Sequence, residues 1–184
     1  FFNIIITSTS HEPFDAPVEG GFNGNSYPDR YRNTVYYTDK CLGDFIKSAQ
    51  SEPWYTNTVF IITPDHGHFL PLNRRHFEAE RHHIPLLIFG GALKEEFKGI
   101  KCDRIGSHSD FATTILAQLN LKHSQFTWSK NLFNKYEEEF AFYTFDEGFG
   151  WIDREQTLIF DHQLNDIIFI LDQKLPYQEN NKKL

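Results

Sequence analysis

The 184-residue sequence contains no methionine and only two cysteines, and its 18 Lys and Arg are outnumbered by 25 Asp and Glu. Cys41 and Cys102 lack the paired spacing of a thiolate metal site. They are expected to be buried or half-buried thiols, with a disulfide open only in an oxidising compartment. A formal net charge of −7 argues against nucleic acid as a partner, because duplex binding relies on Lys and Arg to neutralise phosphates. A small anionic substrate stays open, since a bound divalent cation reverses the local field. No apolar run approaches the ~20 residues of a membrane span, and no signal peptide is visible.

What is present is an apolar interior without thioethers. Hydrophobic residues make up 40% of the chain, aromatic residues 16%, and Phe alone occurs 19 times. The length fits one domain. "FFNIIIT" (1–7) is a continuous apolar run, as buried parallel strands tend to be. It reads as a strand already under way, so the chain is expected to belong to a longer protein. A long Gly-, Pro-, Ser- and Asn-rich loop follows. Val35, Leu42, Phe45, Ile46 and Ala49 then recur at helical spacing, which predicts a helix over 30–51.

"TNTVFIIT" (56–63) and "IPLLIFG" (84–90) read as two more buried strands, with polar, basic loop between them. "SDFATTILAQLNL" (109–121) predicts a helix with Ser109 as N-cap. Four short strands then run 140–145, 149–153, 157–162 and 166–171, an antiparallel meander. The expected fold is α/β: a mostly parallel central sheet flanked by helices, with a C-terminal antiparallel four-stranded meander. The expected division is an α/β part over 1–135, an antiparallel sub-domain over 136–175 and a polar tail over 176–184.

The chemistry concentrates in "TPDHGHFLPLN" (63–73), where Asp65, His66 and His68 follow an apolar strand. Open α/β sheets place ligands beyond the carboxyl ends of their strands. A carboxylate beside an imidazole makes a typical donor pair for Zn2+ or Mn2+. Two adjacent donors cannot complete a site, so further ligands must come from elsewhere.

Three other segments agree with that reading. "SHEPF" (10–14) carries His11 beyond a predicted strand, "RHHIPLLIFG" brings Arg81, His82 and His83 to the start of another, and "SHSDFATTIL" opens a helix. In this order the segments resemble the C-terminal half of the sulfatase-like catalytic domain of the alkaline phosphatase superfamily. "EPWYTNTVFIITPDHGH", "IPLLIFGGAL", "FTWSKNLF" and "FAFYTFDEGFGW" look most like its lipoteichoic acid synthase-like phosphoglycerol transferases. The resemblance implies that this is a partial alkaline-phosphatase-like domain. It implies that Asp65 and His66 are two ligands of a catalytic divalent metal, Mn2+ before Zn2+ or Mg2+, completed by ligands outside the chain. It implies that His11 contacts the substrate phosphate and that His68, Arg81, His82 and His83 lie toward an anionic substrate. Asp110 matches the family's Asp and is read as structural, a carboxylate favoured in a first helical turn; His108 departs from the residue type usual there.

The resemblance also implies a nucleophilic threonine and an acidic ligand upstream, which nothing in this chain matches, so these residues alone should be inactive. The substrate expected is a phosphate or sulfate ester such as an anionic lipid headgroup. The protein is expected to be anchored in a membrane from outside this chain, with the domain extracytoplasmic. Rival readings are a sulfatase or phosphoethanolamine transferase on the same scaffold, or a non-catalytic domain that binds a glycan or lipid headgroup. An exposed apolar patch beside 1–7 and 56–63 is expected, satisfied by a homodimer in the truncated form.

Overall fold

The structure is a computed structural model that describes residues 1–17 and 21–172. The 176–184 tail and the last residues of the expected 136–175 sub-domain therefore lie outside the described residues. The chain divides into two compact units, one of Phe1–Arg75 with His83–Ile100, the other of His76–His82 with the chain from Lys101.

The first unit is built around helix α1 (Tyr27–Ala49). Ser26 caps it, its side chain accepting the Asp29 amide at 3.3 Å, and Asp29 places a carboxylate in the first turn where the helix dipole favours it. Of the predicted stripe Ala49 is buried and Leu42 and Ile46 are half-buried, whereas Val35 and Phe45 are exposed; Thr34, outside it, is buried. Tyr27, Tyr31, Thr34 and Thr38 lie four, three and four residues apart, so they share one face of the helix. That face receives the long loop: Phe14 packs edge-on against Tyr27 and Tyr31, and Ser10 Oγ lies 3.2 Å from Thr38 Oγ1.

Strand β1 (Phe60–Ile62) and strand β2 (Leu87–Phe89) pair antiparallel, with Phe60 opposite Phe89 and Ile62 opposite Leu87. The expected parallel central sheet is not what the described strands form. Apolar runs mark strands but carry no direction, which is why the sequence pattern missed this. Phe60 organises an aromatic cluster with Phe45, Trp54, Tyr55 and Phe89. The run 1–7 is not a strand. Phe1, Phe2, Ile4, Ile5 and Ile6 are exposed, and so are Val59 and Ile61. Cys41 and Cys102 are free and exposed, correcting the expectation of buried thiols or a disulfide.

The second unit holds the helix predicted over 109–121 together with the meander. Helix α3 (Phe111–Gln118) is preceded by a 3-10 turn over His108–Asp110 whose cap is Ser107, not the expected Ser109. Asp110 is fully buried and draws three donors: the Ser107 amide at 2.8 Å, the Lys130 amide at 2.9 Å and Lys130 Nζ at 2.6 Å. Lys130 Nζ also donates to the Phe140 carbonyl and lies 4.0 Å from the Phe140 ring centre. One ion pair thus ties the start of α3 to the first strand of the meander. His108, unexplained by the sequence, packs edge-on against Phe111.

Strands β3 (Phe140–Phe145), β4 (Gly148–Asp153), β5 (Gln156–Asp161) and β6 (Asp166–Asp172) form the predicted antiparallel meander in sequential order. Asp153 and Asp161 shape its turns by accepting the amides two and three residues on. Gly150 stands opposite Tyr143, and a Cβ there would meet the tyrosine ring at 2.1 Å. The missing side chain lets Tyr143 lie across the sheet. Its ring stacks on His82 with 4.0 Å between centroids, and its hydroxyl donates to the Phe77 carbonyl at 2.7 Å. His82 sits in α2 (Ala79–His82), a single helical turn inside what the sequence suggested was loop.

Candidate active site

β1 ends at Ile62, and the chain reaches Asp65 and His66 three and four residues later. Both side chains are open to solvent, 85% and 70% exposed. The Asp65 carboxylate turns back to accept the His66 amide at 3.1 Å. His66 Nδ1 lies 2.8 Å from the Gly67 carbonyl. A carbonyl only accepts, so Nδ1 carries the proton and the neutral ring keeps its lone pair on Nε2. Nε2 stands 3.7 Å from Asp65 Oδ2. A backbone carbonyl holding one ring nitrogen while the other stays available is the usual support of a metal-binding histidine. An ion sits about 2.0–2.2 Å from each such donor, so 3.7 Å is within reach of one shared ion. The donor pair fits a divalent metal as half of a site: among the described residues no group of three His, Cys, Asp or Glu could hold one.

His11 occupies the loop docked on α1 and belongs to the same compact unit as Asp65 and His66. Its side chain is 78% exposed. Nδ1 donates to the Glu12 carbonyl at 2.9 Å, so Nε2 is the atom left to meet a ligand. Glu12 divides its carboxylate: Oε2 lies 3.7 Å from His11 Nδ1 and Oε1 lies 3.6 Å from His68 Nε2. A hydrogen bond from its own backbone amide holds the Glu12 carboxyl below its usual range; partial burial opposes this, and His68 and His11 add to it.

His68, expected beside the substrate, is only 17% exposed. Its ring stacks on Tyr31 at 4.7 Å, meets Phe14 edge-on at 5.6 Å, and accepts the Leu70 amide at Nδ1. It reads as a packed part of the site wall. Glu12, Phe14 and Tyr31 were not singled out in the sequence; Glu12 adjoins His11, but nothing in a linear pattern pairs it with His68.

The basic residues near 81–83 divide between the units. His83 is exposed and belongs to the unit that carries Asp65, whereas Arg81 and His82 belong to the other. His82 is taken up by packing, with Nε2 donating to the His76 carbonyl at 2.8 Å beneath the Tyr143 ring. Burial holds the His82 imidazole below its ordinary pKa, and burial pushes the Tyr143 hydroxyl up to about 12 with Glu80 adding to it.

A family model described as Sulfatase matches residues 1–121, a span that includes His11, Asp65 and His66. The chain belongs to the sulfatase family. Lipoteichoic acid synthase of Staphylococcus saprophyticus is 35% identical over 71 residues, covering 36% of this chain and 11% of that protein. Lipoteichoic acid synthase of Staphylococcus aureus strain USA300 is 34% identical over the same length and coverage. The match thus spans about a tenth of these curated relatives. A solved structure of a protein in the alkaline phosphatase superfamily from Vibrio parahaemolyticus aligns with 94% of this sulfatase-family chain and 44% of its own, at a TM-score of 0.68 and 22% identity. The fold is therefore alkaline-phosphatase-like. Among the described residues no helix is long and apolar enough to cross a membrane.

Proposed function

We propose that this chain supplies the metal-binding and phosphate-facing part of a sulfatase-like enzyme that transfers or hydrolyses phosphate esters, of the phosphoglycerol transferase kind. The observation that carries the reading is the Asp65–His66 pair: two open donors 3.7 Å apart, with His66 oriented through the Gly67 carbonyl. Asp65 and His66 would hold a divalent ion, Mn2+ first and Zn2+ or Mg2+ as alternatives. Bound there, such an ion supplies positive charge that stabilises a transferring phosphoryl group.

His11 keeps Nδ1 on the Glu12 carbonyl and offers Nε2 to the substrate. In the imidazolium form Nε2 donates to a phosphoryl oxygen as charge spreads over it. The attacking group in this reading is a threonine hydroxyl outside residues 1–184. It forms a phosphothreonine and expels the alcohol of the ester, and an acceptor alcohol or water then frees the threonine. The chain alone is inactive on this account. The intact protein would be membrane-anchored, with this domain extracytoplasmic and an anionic lipid headgroup as substrate.

The test compares the full-length protein on bis(p-nitrophenyl) phosphate and on p-nitrophenyl sulfate with Mn2+ present. The expected result is turnover of the phosphodiester, lost in Asp65→Ala. Sulfate ester turnover alone moves the assignment to a sulfatase, and absence of both leaves a binding domain as the better account.

A further inference from the structure

We infer that His68 and Tyr31 are positioning residues that set the direction of His11 through Glu12. This rests on the phosphoester reading above. Exposure separates the histidines first. His11 and His66 are 78% and 70% exposed, whereas His68 is 17% exposed, walled by Tyr31 on its face and by the buried Phe14 at its edge. A ring so enclosed is placed to hold other groups rather than to meet solvent-borne ligand.

Its hydrogen bonding fixes what it can hold. The Leu70 amide donates to Nδ1 at 3.0 Å, so the ring proton lies on Nε2. Nε2–H faces Glu12 Oε1 at 3.6 Å, an electrostatic contact longer than a hydrogen bond. Glu12 in turn meets His11 twice: its carbonyl accepts His11 Nδ1–H at 2.9 Å, and its carboxylate Oε2 lies 3.7 Å from the same nitrogen. With Nδ1 engaged, Nε2 is the only ring nitrogen of His11 free to face outward.

The loop is anchored around this relay. Phe14, two residues beyond Glu12, is 2% exposed and takes φ 60 between Tyr27, Tyr31 and His68. Ser10 meets Thr38, and Asp15 pairs with Arg30. Helix α1 therefore grips the loop on both sides of His11 and, through Tyr31, grips the segment that follows Asp65 and His66. Displacing a reacting group by about 1 Å costs on the order of a hundredfold in rate, so an enzyme that needs His11 and the Asp65–His66 pair to act on one phosphate gains from such a clamp.

The experiment uses the full-length protein and four variants: His68→Gln, Glu12→Gln, Tyr31→Leu, and Tyr31→Phe as the conservative control. The readouts are KM and kcat for bis(p-nitrophenyl) phosphate, the inhibition constant for inorganic phosphate, bound Mn2+ and the melting temperature. In His68→Gln, Glu12→Gln and Tyr31→Leu, kcat/KM should fall by about ten- to a hundredfold while the phosphate inhibition constant rises. Bound Mn2+ should not change, and Tyr31→Phe, which keeps the stack, should match the wild type. An unaltered phosphate constant in these variants overturns the positioning role. Loss of Mn2+ with an unaltered phosphate constant also overturns it, by making His68 a ligand. If Tyr31→Leu does not fold, His68→Gln and Glu12→Gln carry the same comparison. A wild-type protein with neither bound Mn2+ nor turnover overturns the phosphoester reading itself, a result distinct from an active enzyme indifferent to these substitutions.

Discussion

Lys130→Met isolates the ion pair that ties α3 to the meander. The substitution keeps an unbranched apolar stem against Phe140 but removes the ammonium that lies 2.6 Å from Asp110 Oδ2. Asp110 has no exposed surface, so its carboxylate would stay buried without a countercharge. Removing one partner of a buried pair costs about 3–5 kcal/mol. The lower end, about 3 kcal/mol, applies because the Ser107 and Lys130 amides still hold the carboxylate. For a chain of this length each kcal/mol lowers the melting temperature by about 2–4 °C, so a fall of roughly 6–12 °C is expected. Circular dichroism melts of wild type, Lys130→Met, Asp110→Asn and the double variant measure it. The double variant should lose less than the two single losses together, by at least about 1 kcal/mol. A loss below about 1 kcal/mol in Lys130→Met, or strict additivity, would refute the view that this pair is a shared buried anchor.

Three further outcomes follow from the same packing. Tyr143→Phe keeps the ring on His82 but removes the hydroxyl that donates to the Phe77 carbonyl, and should cost about 1 kcal/mol in urea unfolding. His82 has its folded pKa held down by burial, so the unfolded chain takes up its proton more readily. Its contribution is complete above the ordinary histidine value near 6.5 and is lost as pH falls from there toward the folded pKa, and His82→Phe should flatten the fall in stability below about pH 6.5. An unchanged slope in that variant would show that other groups govern the acid side. The exposed apolar side chains of 1–6 should make the isolated chain self-associate, with Ile5→Lys shifting sedimentation toward the monomer; a monomeric wild-type chain at high concentration contradicts this.

The meander was legible because its cues are local: strands of near-constant length, with Asp153 and Asp161 setting the turns between them. Helix α1 was legible in place, and the C-terminal part of its stripe, Leu42, Ile46 and Ala49, is covered. Its apolar residues suggested one stripe, while the face that organises the site uses Tyr27, Tyr31, Thr34 and Thr38, aromatic and hydroxyl groups that hydropathy undervalues. The run 1–7 has the composition of a strand, but a strand needs a ladder partner, and composition does not supply one. Asp110 was readable as structural from its place in a first turn; Lys130, twenty residues away, was not. Asp65 and His66 stood out because donors directly after an apolar strand are a local signature. Glu12, His68 and Tyr31 come together only after the loop has docked on α1.

The central claim is that Asp65 and His66 are ligands of one divalent ion, and equilibrium dialysis of the full-length protein against Mn2+ tests it most directly. The account predicts saturable binding by the wild type, weakened at least about tenfold in Asp65→Asn and in His66→Gln, with the melting temperatures of the apo proteins unchanged because both side chains are open to solvent. Wild-type affinity retained in both variants would contradict it.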